Sequence, residues 1–165
     1  MSNLIPNENT WVGFLVATVP KPNGVGIISA PTVAEVGSAV DLTDFLVSLN
    51  ASASGNTVPT PRLKSLFETS VNGTSTATFT GDFYRDDEAD LAWDTLPRGT
   101  KGCFLIKRFG GTGTAGKPVA AETVEVWPVN VTSRAAGALT SGTAQMFTLT
   151  CSVPREPDED AVVSA

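Results

Sequence analysis

The stretch GGTGTAGKP, Gly110 to Pro118, sets glycines and a lysine in nearly the spacing of a phosphate-binding loop. That chemistry needs glycines so that backbone N–H groups can crowd round phosphate oxygens. It also needs a lysine for charge, a hydroxyl for magnesium and a helix N-terminus directly behind. Gly111 to Lys117 meet the spacing, but Pro118 brings neither a hydroxyl nor an N–H, and the following VAAETVEVWPVNV predicts a strand. The stretch therefore reads as a glycine-rich turn joining two strands.

Carboxylates are the next candidates. Asp86, Glu88 and Asp90 alternate as calcium ligands do, but the glycine at the sixth place and the glutamate at the twelfth are missing. Glu68 and Asp82 fall on two strands expected to face each other, and a carboxylate pair can in principle serve as acid and base. Paired exposed carboxylates are more commonly surface charges. The chain has no histidine, so the commonest general base and metal ligand is missing. Cys103 and Cys151, in CFLIKRF and FTLTCSVP, occupy interior strand positions where a thiol behaves as a small hydrophobe. A disulfide between them is the open alternative. The expectation is a chain with no catalytic residue, no metal site and no cofactor.

The elements that would carry these residues are mostly strands. A length of 165 residues suits one domain, and 41% hydrophobic against 17% charged residues predicts an ordered chain with a lightly charged surface. With 17 acids and 11 bases the net charge is −6, which argues against gripping nucleic acid by its phosphates but not against letting it pass. MSNLIPNENT has neither the basic region nor the apolar core of a signal peptide, and no stretch nears the roughly 20 apolar residues of a membrane span. Synthesis in a cytoplasm and no membrane partner are expected.

Thr10 to Val19, TWVGFLVATV, is an apolar run suited to burial on both faces. Thr32 to Leu49 reads as extended pieces with a turn near Gly37, and Asn50 to Arg62 as a long exposed loop. Leu63 to Val71 and Ser75 to Asp86 flank Asn72-Gly73, a strong hairpin signal. In the second of these, Ala77, Phe79 and Phe83 share one face, while Thr76, Thr78, Thr80, Asp82 and Tyr84 share the other. A helix is expected within Asp86 to Gly99, capped by Asp86 or Asp87, with Ala89, Ala92, Trp93 and Leu96 in one apolar stripe. TKGCFLIKRF, ETVEVWPVNVTSR and AQMFTLTCSVPR follow as strands, and Pro128 marks an edge or a bulge. The end, EPDEDAVVSA, reads as a mobile or partner-docking arm. The fold class is thus mainly β, a β-sandwich or barrel with one short flanking α-helix, in a single domain over residues 1–165.

The order of these parts is familiar. LIPNENTWVGFL, then APTVAEV to DLTDFL, a polar loop, paired strands, DEADLAWDTLPRG and GCFLIKRFGG lead to AAETVEVWPVNVTSRAAGALTSGTAQMFTLTCSVPREP. Over nearly its whole length, and most specifically from Glu122 to Pro157, the chain resembles the tail tube (major tail) proteins of long non-contractile-tailed phages (siphophages) of actinobacteria. The resemblance implies two packed antiparallel sheets, and hexameric rings stacked into a hollow virion tube that ejects DNA. Its partners would be further copies of itself, other tail proteins (tape measure, tail terminator, baseplate or tip) and viral DNA in passage.

On that reading Glu68 and Asp82 are candidates for the lumen. Candidates for contacts between subunits or rings lie on three arms. They are Asn3, Leu4 and Ile5 in residues 1–9; Asn56, Thr57, Val58 and Pro59 in residues 50–62; and Glu156, Asp158, Glu159 and Asp160 in residues 156–165. A tail terminator, a capsid decoration protein or an immunoglobulin-like adhesion domain are the alternatives.

Overall fold

The computed structural model describes residues 10–61 and 69–165. Its strands are β1 (Trp11–Val16), β2 (Val40–Asp41), β3 (Leu46–Thr60), β4 (Thr69–Tyr84), β5 (Lys101–Lys107), β6 (Thr123–Ala136), β7 (Met146–Ser152) and β8 (Asp158–Val162). Two short helices, α1 (Val33–Ser38) and α2 (Leu91–Thr95), accompany them. The strands run in the order β2-β1-β5-β6-β7-β4-β3, with β8 pairing β6, and all pairings between named strands are antiparallel.

The sheet folds over on itself. Phe79 of β4 stacks on Phe104 of β5 and lies against Trp127 of β6, while Phe104 also meets Phe14 of β1. These rings fill the space between the two layers together with Phe83, Phe147 and Leu149. β1 and β5 bury both faces, as their continuous apolar runs predict. Their second face builds another cluster, in which Trp11, Leu15, Cys103 and Leu105 meet Val36 of α1, Val124 and Val126 of β6, and Ala161 and Val163 at the C-terminus. β7 alternates as its sequence predicts, with Phe147, Leu149 and Cys151 buried and the residues between them exposed.

Several expectations are corrected. Residues 50–60 are strand, not loop: β3 pairs with β4 from Leu46↔Phe83 to Thr60↔Thr69. Asn72-Gly73 is not a turn, for β4 runs straight through it, and a register shift between Gly55 and Thr57 absorbs one extra residue of β4. The connection between the strands falls instead between Thr60 and Thr69. β4 meets β7 only from Thr78 to Tyr84. Beyond that point the β3–β4 pair continues as a two-stranded ribbon.

Val33–Ser38 is helical, not extended. Thr32 accepts from the Glu35 N–H, and Glu35 returns a carboxylate to the Thr32 N–H, a complete capping box. α2 is shorter than the expected span: Ala92 and Leu96 are buried and Trp93 packs on the core, but Ala89 of the expected stripe lies before the helix and is exposed, and the N-cap is neither Asp86 nor Asp87. Its N-cap residue, Asp90, makes no capping bond because its carboxylate is held by the Arg85 guanidinium at 2.7 Å.

The C-terminal segment is not a free arm. β8 pairs β6, and Ala161 and Val163 are buried. Nor is β6 an edge strand, since β5 lies along one side of it and β7 and β8 share the other.

Candidate functional site

Strand alternation gives the β3–β4–β7 layer two unlike faces. Phe79, Phe83, Phe147 and Leu149 point into the core. The outward face carries Ser48, Asn50, Ser52 and Ser54 from β3, Thr76, Thr78, Thr80 and Asp82 from β4, and Thr148, Thr150 and Ser152 from β7. Hydroxyls bridge the strands across it: Ser52 Oγ lies 3.0 Å from Thr78 Oγ1, and Ser54 Oγ lies 3.2 Å from Thr76 Oγ1.

Asp82 is the one charge among these positions. Thr148 Oγ1 donates to its Oδ1 and Ser48 Oγ to its Oδ2, each at 2.7 Å, so one carboxylate ties three strands together. The Thr148 hydroxyl, then that of Ser48, hold the carboxyl below its ordinary value, so it stays charged. Sequence reading placed Asp82 on the polar face but missed both partners. Thr148 was visible in the alternation of its strand, whereas Ser48 sat in a segment without a clear period. The expected partner, Glu68, lies outside the described residues, as do Asn3, Leu4 and Ile5.

The other candidates scatter. Asn56, Thr57, Val58 and Pro59 lie on the ribbon part of β3 and are exposed. Asp158 begins β8 opposite Val126, Glu159 and Asp160 are exposed on the same strand, and Glu156 precedes it. Between the ribbon's base and the chain from Val153 to Glu159 runs an open groove of about 650 Å³. β3 is the last strand of the sheet, and its fifteen residues include no charged side chain. An uncharged edge of that length is the kind a neighbouring chain can cover.

The glycine-rich loop is already occupied by an acid of its own chain. Glu122 takes the Thr112 N–H and hydroxyl on Oε1 and the Val119 N–H on Oε2. A side chain at Gly111 would lie 1.8 Å from the Gly116 carbonyl oxygen, so this glycine serves the loop's closure on itself. The alternating acids diverge: Asp86 caps the Glu88 N–H, while Asp90 pairs with Arg85. Arg85 and Arg134 stack on Trp93, their guanidinium carbons 4.1 and 3.8 Å from the ring centroid. Cys103 and Cys151 are free, buried thiols, and burial first of all pushes each up to about 12.

A folded-over β-sheet with a hydroxyl face and an open, uncharged edge defines a structural building block. The chain belongs to the phage tail tube protein family, whose model matches residues 14–165. No curated protein matches the chain. Among solved structures it is similar to a chain in the tail of an empty gene transfer agent (GTA) particle refined with C6 symmetry, at 16% identity and a TM-score of 0.52, over 76% of this chain and 88% of that one. It is also similar to a chain in the six-fold symmetrised baseplate of the anti-feeding prophage, at 11% identity and a TM-score of 0.56, over 96% of both chains. The shared feature is the fold.

Proposed function

We propose that six copies of this chain close into a ring, and that the rings stack into the hollow tail tube of a siphophage. Viral DNA leaves through that tube without specific binding. The observation that carries this reading is the outward face of β3, β4 and β7, with its serines and threonines, one clamped carboxylate and no base. Turned toward a channel, such a face stays wet and offers DNA phosphates no cation to hold. The uncharged outer edge of β3 supports ring closure by a head-to-tail contact, which rotation can repeat until it closes. The six-fold symmetry of the similar GTA tail and prophage baseplate supports the ring number. Residues 1–9, the distal part of β3 and the C-terminal segment around β8 supply contacts between subunits or rings, and tape measure, terminator and baseplate or tip proteins meet the tube at its ends. Assembly would follow synthesis in the host cytoplasm.

Electron microscopy of the purified protein tests this. Tubes with a central channel are expected at high concentration. Persistent monomers up to millimolar concentration would overturn the reading, and single rings that never stack would favour a tail terminator.

A further inference from the structure

β8 is seated between two parts of its own chain. On one side the Val163 N–H donates to the Glu122 carbonyl at 2.9 Å, and the Ala121 N–H donates to the Val163 carbonyl at 2.8 Å. On the other, the Val162 N–H reaches the Ser29 carbonyl, the Ser164 N–H the Pro31 carbonyl, and the Val33 N–H the Ser164 carbonyl. Ala161 and Val163, each 1% exposed, plug the cluster built around Trp11 and Leu105. The seat is thus made by residues 29–33 and 121–126, with side chains from β1, β5 and α1 behind it.

The connection leading to that seat is built differently. Among the described residues, no loop or side-chain hydrogen bond involves Val153 to Pro157. Pro154 and Pro157 stiffen it and contribute no N–H. It runs along the 650 Å³ groove, whose far wall is made of small residues, Ala53, Gly55 and Ala77 among them. The strand is well held, while its tether keeps Val153 against the first cluster and leaves Pro154, Arg155 and Glu156 exposed along the open groove.

We propose that β8 is an exchangeable strand. In the free subunit it fills the seat on its own chain, and in the tube it fills the same seat on a second copy of this chain. The inference rests on the tube reading above. Fit needs no new surface, because every hydrogen bond and buried side chain lost at home is regained on the neighbour, which makes such a swap a low-cost route to association. The five connecting residues reach about 18 Å when extended, so the neighbour's β6 must come within that distance of Ser152. On this reading Glu156 belongs to the link between subunits, and Asp158 to Asp160 cross with the strand.

Paired cysteines test the proposal. Val124 and Ala161 are register partners across β6 and β8, as are Thr123 and Val162 nearer the surface. The double variants V124C/A161C and T123C/V162C, oxidised as monomers, should form a bond within one chain. Assembly should then be lost until reductant is added. Tubes assembled under reduction and oxidised afterwards should give a ladder of linked chains on a denaturing gel. If either locked monomer builds tubes as fast as its reduced form, or if oxidised tubes yield only single chains, exchange is overturned while the tube stands. Wild-type protein that never assembles overturns the tube and the exchange together.

Discussion

Phe79 and Phe104 stack with ring centroids 4.5 Å apart, although β6 and β7 lie between their strands in the order of the sheet. This contact joins the two layers directly, so it measures whether the sheet has folded over. Replacing Phe79 with alanine should cost about 3–5 kcal/mol, the range for truncating a buried aromatic. Denaturant unfolding of the monomer measures it. A loss below about 1 kcal/mol, the size of a tolerated volume-conserving swap, would mean the layers are held elsewhere.

Glu35 offers a prediction in pH. Burial alone raises its carboxyl, but the hydrogen bond from Lys21 and the N–H groups of Thr32 and Gly26 outweigh burial and hold it below the usual value. A depressed carboxyl contributes stability that is fully present above its unfolded value and is lost as pH falls through its folded one. Melting temperatures of wild type and Glu35→Gln should therefore differ at neutral pH and converge in acid. Glu35→Ala should cost about 2–3 kcal/mol at neutral pH, through the lost cap and two unpaired N–H groups.

Asp82 separates a channel-facing wall from an outer one. Asp82→Lys puts one positive ring in every layer of the proposed tube. Tubes should still form, while DNA release slows and becomes more dependent on salt. Release that is unchanged at low salt would place this face elsewhere.

Removing residues 158–165 should destabilise the subunit itself, because it strips Ala161 and Val163 from the second cluster. The loss of Val163 alone is worth about 1.5–3 kcal/mol. Calorimetry of the truncated monomer should show a lower melting temperature before any assembly is attempted. A truncated chain that melts like wild type would show the seat to be energetically idle.

The thiols should be inert while the chain is folded. With both pushed up to about 12, almost no thiolate exists at pH 8, and burial blocks access as well. Iodoacetamide should label Cys103 and Cys151 only after denaturation. Rapid labelling of native protein would contradict their packing.

What the sequence revealed follows the physics of burial. β1, β5 and β7 announce themselves because buried faces demand apolar residues at fixed intervals, and Asp82 falls on the wet face by the same alternation. β3 is different. Its distal half is exposed on both sides, so Gly55 to Pro59 carry no alternation, and the pairing with β4 makes them a strand. The Asn72-Gly73 signal is local, and the long-range register overrode it with a bulge. The Thr32 to Glu35 spacing is that of a capping box, a helix signal that the reading of Thr32 to Leu49 as extended pieces left out. At the C-terminus, four acids masked the two-residue spacing of Ala161 and Val163, which is what docks the strand.

Pro128 pairs across from Cys103 of β5, between the last residue of β6 held by β8, Val126, and the first held by β7, Asn130. The Val131 N–H and carbonyl both turn toward Thr100 and Gly99 at the β5 side, so the backbone edge of residue 128 turns the other way, into the gap between β7 and β8. Proline offers no N–H there. Residue 128 therefore adds a donor to neither ladder, and the berth of β7 on β6 ends at Asn130 while that of β8 begins at Val126.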